Sequence, residues 1–401
     1  MRIFAACFTL VLLSGCATQL PSGSPIFDPP NPSLPPIPPR PPVPPPVVVT
    51  PPSSPFPTYP TEAAARAAVS RLLPSTVKDK AGWTQDIVTA FTALNLPYRT
   101  DQFCAAMAVI EQESTWQADP TVPGLGDIVW KKIAEKAGGL VPMPALRLAL
   151  SKNSVTGESY TSRIDRLRSE KEMNTLFEDM SADAQRLGLP VAMKNPIRTG
   201  GPMQVSVTFA EELIRAKPYP YPRKGSVRSE VFSRKGGLYF GIAHLLDFPA
   251  DYTAMRYRFA DFNAGPYASR NAAVQQVVAR LSGRALVSDG DLLIYRDGAP
   301  SGTPSSSQLA LNDLAARLGL SAAEIQRDIR QEKMASFSRT VLYQRLFALA
   351  DRQAGRAVPR EAMPQITLNS PKIVRKLTTE WFANRVNGRY EACLARDGVR
   401  H

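Results

Sequence analysis

Nineteen prolines fall between Pro21 and Pro60, and a segment so dense in proline has little to offer a hydrophobic core. Each proline fixes φ and removes a backbone donor, so both helix and sheet ladders are interrupted. The expectation is an extended polyproline spacer that contributes nothing to folding and reaches at most ~120 Å at ~3.1 Å per residue. A ligand for proline-recognising domains is the rival reading, and such domains are uncommon outside the cytoplasm. Residues 61–401 remain for folding, enough for one large domain or two moderate ones. At 44% hydrophobic and 21% charged, the chain as a whole is neither disordered nor collagen-like. No internal repeat of solenoid period is visible.

The N-terminus sets the expected compartment. Arg2 precedes an apolar run from Ile3 to Leu13 and then Ser14-Gly15-Cys16, the make-up of a signal peptide over residues 1–15. The run is too short for a permanent membrane span. Leu13-Ser14-Gly15-Cys16 resembles the bacterial lipobox, which implies lipidation of Cys16 and a membrane anchor at the new N-terminus. Ala17 and Thr18 put no aspartate after it, which by the same resemblance implies the outer membrane, with the body facing the periplasm. An ordinary signal peptide with Cys16 incidental is the alternative. Residues 16–60 then form the lipidated N-terminus and proline-rich linker.

The formal charge is +13, and the body carries the excess. Between Lys194 and Lys235 nine cations face only three glutamates, Glu211, Glu212 and Glu230. In an exported chain such a surface meets lipid headgroups and cell-wall carboxylates, and nucleic acid is not the expected partner. Cys104 and Cys393 are the cysteines left after processing. An oxidising compartment permits a bridge between them, and two buried free thiols are the other possibility. Two cysteines and two histidines make a structural zinc site improbable, and no metal is expected.

The body reads as all-α. Helical patterning covers Thr61–Leu73, Ala81–Asn95, Thr100–Trp116, Asp127–Ala137, Glu158–Leu187, Val205–Ala216, Gly237–Asp247, Tyr252–Phe262 and Ala268–Leu281. Beyond a possible hairpin at Ala285–Asp297 come Gln308–Leu318, Ser321–Lys333, Arg339–Ala354 and Pro371–Arg396. In the third of these helices Phe103, Met107 and Ile110 form one stripe, with Ala106, Val109 and Glu113 beside it. Glu113 thus follows the inward face, whereas Glu111, ~200° away, is expected to face solvent. Glu113 also sits in the last turn, where the helix dipole and partial burial both oppose ionisation. A carboxylic acid kept protonated is what glycosidic cleavage needs, because the leaving oxygen must receive a proton. A solvated glutamate closing an apolar helix is the plainer reading of the same pattern.

Three further stretches follow in order: Gly200-Gly201-Pro202-Met203-Gln204, the run from Gly237 to Leu245, and Phe262-Asn263-Ala264-Gly265. With Glu113-Ser114 and Trp116 they resemble the lytic transglycosylases of the soluble, goose-lysozyme-like class, over about residues 100–118, 198–212 and 235–275. The resemblance implies a lysozyme-like helical domain over residues 61–283, with an insertion at about 120–198 and a C-terminal helical extension over 284–401. It implies Glu113 as the single catalytic acid and base, with Ser114 orienting it. Met203, Gln204, Tyr239 and Asn263 are implied as substrate-binding residues. Peptidoglycan glycan strands are the implied partner, and no cofactor is required. The chain as a whole is also similar to a family of bacterial lipoproteins of unknown function.

Two departures stand out. Ser114 and Gly201 are far apart where that class has a short segment, and Phe262 replaces a tyrosine, so no hydroxyl reaches the carboxyl from that position. Without turnover, the same groove makes a peptidoglycan-binding protein, and without a groove a scaffold for other envelope proteins. Asp261 matches no catalytic position of the class. His244, on an apolar face, reads as a core histidine, and Tyr219-Pro220-Tyr221-Pro222 as a rigid loop that lines a sugar groove or merely covers the surface.

Overall fold

The computed structural model describes residues 55–138, 141–152, 154, 156–186, 195, 197–223, 225–296, 298–368 and 377–398. The signal segment, Cys16 and the linker up to residue 54 lie outside the described residues, as do Lys194 and Lys224 of the basic stretch. The protein is all-α, with only two-residue strands paired as three small antiparallel hairpins among the described residues.

Three hydrophobic clusters organise the chain. The first gathers α1 (Glu62–Leu72), α2 (Lys80–Ala93) and α3 (Thr100–Ser114). Helix α3 lies at its centre, with Phe103 to Ile110 all at most 1% exposed. A helix buried on every side has no solvent stripe to supply, and Ala105, Ala106 and Ala108 let its neighbours approach. The second half of its sequence returns to polarity at Glu111, Gln112 and Glu113, which is where it emerges from the core.

The inserted stretch has a small core of its own. Helices α4 (Leu125–Lys136), α5 (Met143–Ala149), α6 (Tyr160–Asp165) and α7 (Glu170–Arg186) bury Leu125, Trp130, Leu146, Tyr160, Ile164 and Leu176 together. The single helix expected over Glu158–Leu187 is broken into α6 and α7. Ser169 and Glu172 explain the break: the Glu172 N–H donates to Ser169 Oγ at 3.3 Å, and the Ser169 N–H donates to Glu172 Oε2 at 3.3 Å. This reciprocal cap starts a new helix.

A hairpin of β1 (Thr199–Gly200) and β2 (Val205–Ser206) leads into α8 (Val207–Ala216). The short α9 (Val227–Val231) and then α10 (Arg234–Leu246) and α11 (Met255–Ala264) follow. Helix α12 (Ala268–Ser282) joins the next cluster with α13 (Ser306–Asp313), α14 (Ala315–Leu318), α15 (Ala322–Ile329) and α16 (Val341–Ala354). The hairpin between them, β3 (Tyr295–Arg296) with β4 (Ala299–Pro300), falls later than expected. Strands β5 (Thr367–Leu368) and β6 (Leu377–Thr378) precede α17 (Thr379–Arg396).

Two expected boundaries are corrected. Residues 284–401 are not one extension: α12 sits with α13–α16, whereas α17 returns to the first core through Phe382, Ala383, Val386, Tyr390 and Leu394. Cys104 and Cys393 are joined by a disulfide that fastens α17 to α3. Asp397 accepts from Thr100 Oγ1 at 2.7 Å, so α17 runs antiparallel to α3. The linker also ends earlier than residue 60. The Tyr59 N–H donates to Tyr98 O at 2.8 Å, the Thr100 N–H donates to Pro57 O at 3.0 Å, and the Tyr59 hydroxyl donates to Asp397 at 2.9 Å. Phe56 and Tyr59 pack against the first core, so the last residues of the proline-rich stretch belong to the body.

Candidate active site

Glu113 is the penultimate residue of its helix, two positions before a double left-handed turn. Thr115 at φ 49° and Trp116 at φ 62° both occupy a region costly for a residue with a Cβ, the more so for β-branched threonine. The turn breaks α3 abruptly and leaves the Glu113 side chain on the wall of a pocket of about 410 Å³. Gln204, His244, Phe262, Asn263 and Phe382 line the same pocket. This volume lies within the ~300–1,000 Å³ usual for a ligand site. Residues 113, 204 and 263, remote in sequence, are therefore brought together.

Close backbone approach explains the glycines of the second motif. A Cβ on Gly201 would stand 2.1 Å from Val231 O, and one on Gly241 would stand 2.4 Å from Met203 Sδ. The hairpin turn thus presses onto α10, and Met203 fills the notch that Gly241 leaves. Gln204 takes φ 51° at the end of the turn, which turns its side chain to the pocket. Of the six non-glycine residues with positive φ among those described, Thr115, Trp116, Gln204 and Tyr267 fall within three residues of a pocket-lining side chain. Strained backbone of this kind clusters at functional sites.

The third motif is held by a buried carboxylate. Asp261 accepts from the Tyr252 hydroxyl at 2.6 Å, the Tyr267 N–H at 2.9 Å and the Ser269 N–H at 2.7 Å. Burial pushes its pKa up to about 6, and these hydrogen bonds work against that rise. Asp261 is fully buried and organises the turn from Phe262 to Tyr267 rather than facing the pocket. Asn263 is anchored from the other side: Thr379 Oγ1 donates to its Oδ1 at 2.8 Å, which leaves its amide NH₂ as the donating group.

Three of the expected substrate contacts are corrected. The Ser114 hydroxyl donates to Ile110 O at 2.9 Å inside α3, back-bonding to its own helix instead of orienting Glu113. Met203 is fully buried beneath the turn. Tyr239 is fully buried too, its hydroxyl donating to Pro218 O at 3.1 Å. Tyr219 likewise turns inward, stacked on Phe240 and donating to Glu230 at 2.8 Å. Glu111 is half-buried rather than solvated, with an oxygen 3.7 Å from Arg389 Nε. For Met203 and Glu111 the reason is the packing of a second helix over a face that periodicity alone leaves open.

His244 lines the pocket and is no ordinary core residue. Its Nε2 lies 3.2 Å from Phe262 O, so that nitrogen carries the proton and donates, while Nδ1 finds no partner. Burial holds its pKa down to about 4, so the ring is neutral at neutral pH.

Sequence reasoning missed the contribution of α17. Phe382 forms part of the wall, Thr379 fixes Asn263, and Arg389 stands beside Glu111. Burial and the neighbouring Arg385 lower the Arg389 pKa, while the carboxylates of Glu111 and Glu113 work against that fall. The one sequence signal for this placement is the spare cysteine pair, because Cys393 lies on α17 and Cys104 on the helix of Glu113.

Fold and site define an all-α protein with a glutamate-bearing pocket closed by its C-terminal helix. The chain belongs to the family described as "Protein of unknown function (DUF1615)", which matches residues 76–396. It is 45% identical over 329 residues to the "Uncharacterized protein YaiW" of Escherichia coli (strain K12), covering 82% of this chain and 89% of that one. No solved structure matches. Among the described residues, no helix is long and apolar enough to cross a membrane.

Proposed function

We propose that this protein is a murein lytic transglycosylase held at the outer membrane by a lipid on Cys16. The observation that carries the reading is the convergence of Glu113, Gln204 and Asn263 on one pocket, at the end of a buried helix. Those residues come from three motifs that resemble the class in the same order. Glu113 protonates the glycosidic oxygen between N-acetylmuramic acid and N-acetylglucosamine, and the bond to C1 breaks. As carboxylate it then removes the proton of the muramic 6-hydroxyl, which closes on C1 to give the 1,6-anhydro product and restores the acid. Gln204 and Asn263 supply amide groups that hold the acetamido and hydroxyl groups of the glycan. Neither step uses a cofactor.

A second reading, a peptidoglycan-binding protein without turnover, has its own support. Phe262 offers no hydroxyl to the acid, and the Arg389 guanidinium lies within electrostatic reach of Glu113. Purified protein incubated with murein sacculi separates the two. Anhydromuropeptides detected by mass spectrometry support the enzyme, and their absence despite sedimentation of the protein with sacculi selects the binding protein. Failure to bind sacculi rejects both.

A further inference from the structure

Helix α17 reaches the pocket through two residues on one face. Thr379 and Phe382 stand at i and i+3. Phe382 lines the pocket, and the fully buried Thr379 bonds to Asn263, which is itself exposed and lines the pocket. An asparagine amide turns about a broad, roughly two-fold torsion, so its oxygen and nitrogen ends exchange places at little cost unless one of them is held. The backbone around Asn263 is already fixed. Asp261 gathers the Tyr267 and Ser269 N–H groups, and His244 Nε2 donates to Phe262 O at 3.2 Å. The amide torsion is what remains, and Thr379 holds it by donating to Oδ1 at 2.8 Å.

Held in this way, Asn263 offers its NH₂ end, so a matching ligand group needs an acceptor oxygen. The rings of Phe262 and Phe382 line the same pocket and suit a small apolar group close to that oxygen. An acetamido group carries both, a carbonyl that accepts and a methyl that is apolar. The protonated amine left by removing the acetyl group carries neither. Its N–H groups only donate, and in that place a donor would meet a donor.

We infer that Thr379 is a positioning residue that fixes Asn263 as a hydrogen-bond donor, so that the pocket takes N-acetylated glycan in preference to N-deacetylated glycan. The inference rests on the glycan reading above and adds to it a selectivity set from the C-terminal helix. Without the Thr379 hydroxyl, Asn263 must be ordered at the moment of binding, and its oxygen end is free to turn towards an amine. Glu113 also lines the pocket, and its pull on an amine is common to every protein compared below.

The test uses the N-acetylglucosaminyl-N-acetylmuramyl disaccharide and its N-deacetylated form, neither of which contains the scissile bond. Affinities are measured calorimetrically with the full chain at about pH 6, where the amine carries its proton. The wild type is expected to bind the acetylated form about fivefold or more tighter. Thr379→Val keeps the shape, removes the hydroxyl and should cut that ratio about threefold, whereas Thr379→Ser should keep it. Asn263→Ala, at an exposed position where folding is safe, should bring the ratio close to one. Adding Thr379→Val to Asn263→Ala should change the ratio no further, because Thr379 acts through Asn263. Equal wild-type affinity for the two forms, or an undiminished ratio in Thr379→Val or in Asn263→Ala, overturns the inference and leaves the glycan reading standing. A further fall in the double variant does the same. Wild-type binding of neither form overturns both.

Discussion

Removing the Cys104–Cys393 bridge is the perturbation whose size follows most directly from the structure. The bridge spans 289 residues, and closing so large a loop lowers the entropy of the unfolded chain by an amount worth about 6 kcal/mol in the chain-entropy description. Measured bridges more often contribute about 2–4 kcal/mol, because unfolded chains are more compact than that description assumes. Both cysteines are buried, and Cys393 Sγ lies 3.9 Å from Met107 Sδ, so replacing them also removes packed sulfur, worth on the order of 1 kcal/mol. The Cys104→Ala/Cys393→Ala protein should therefore be less stable by about 3–6 kcal/mol in urea unfolding. The loss should be uneven. Helix α17 lies at the C-terminal end and is held to the first core by the bridge and by one helical face. Its amides should exchange with solvent far faster than those of α3 in the variant, and at similar rates in the parent. A stability loss below about 1 kcal/mol with unaltered exchange in α17 would refute the reasoning. It would mean that the apolar face of α17 suffices to hold the pocket wall in place.

Other perturbations address the site and its supports. Glu113→Gln should lower anhydromuropeptide release by at least ~10²–10⁴-fold, the part that proton transfer supplies, while exposed Glu178→Gln on α7 should release product at the parent rate; equal rates for the two variants would remove Glu113 from the chemistry. Gly241→Ala should destabilise by about 1–3 kcal/mol, because the new Cβ meets Met203 Sδ at 2.4 Å, and Gly241→Ala/Met203→Ala should recover part of that loss in thermal unfolding. A chain beginning at Thr61 should melt below the parent, since it lacks the Tyr59 bonds to Tyr98 and Asp397 and the Pro57 bond to Thr100; an unchanged midpoint would return residues 55–60 to the linker. Glu332 is fully buried, and burial pushes its pKa up to about 7 against the backbone N–H donors of Leu292 and Leu293. The folded protein thus holds this proton at pH values where the unfolded chain has lost it. The contribution is complete below about pH 4.5 and is lost as pH rises through 7. The stability of the parent relative to Glu332→Gln should accordingly fall by about 3 kcal/mol between pH 4.5 and 8, and a flat difference would show that the group titrates normally.

Much of this protein is legible without coordinates because the relevant physics is local. Alternation of apolar and polar residues at helical spacing shows an all-α body, and the return to polarity after Ile110 marks where α3 leaves the core. The same pattern brings out Glu113 as the last inward-following acid. The count of cysteines narrows any bridge to Cys104 and Cys393. Even the break between α6 and α7 is written in Ser169-Glu170-Lys171-Glu172, whose capping potential a search for periodicity alone passes over.

What the tertiary structure decided is which residues of each motif reach the ligand side. Periodicity identifies a face but not the element that covers it. Met203 looks like a contact residue until α10 arrives with Gly241 opposite, and Ser114 looks like a partner of Glu113 until its hydroxyl has the Ile110 carbonyl in reach. Glu111 looks solvated until α17 lies across it. That last placement depends on a contact between residues 289 positions apart, and no short-range rule reaches so far. Helix α17 supplies Phe382 to the pocket wall, the Thr379 hydroxyl to Asn263 and Arg389 to the neighbourhood of Glu111 and Glu113. Its sequence specifies an amphipathic helix; only the closed chain makes it part of the site.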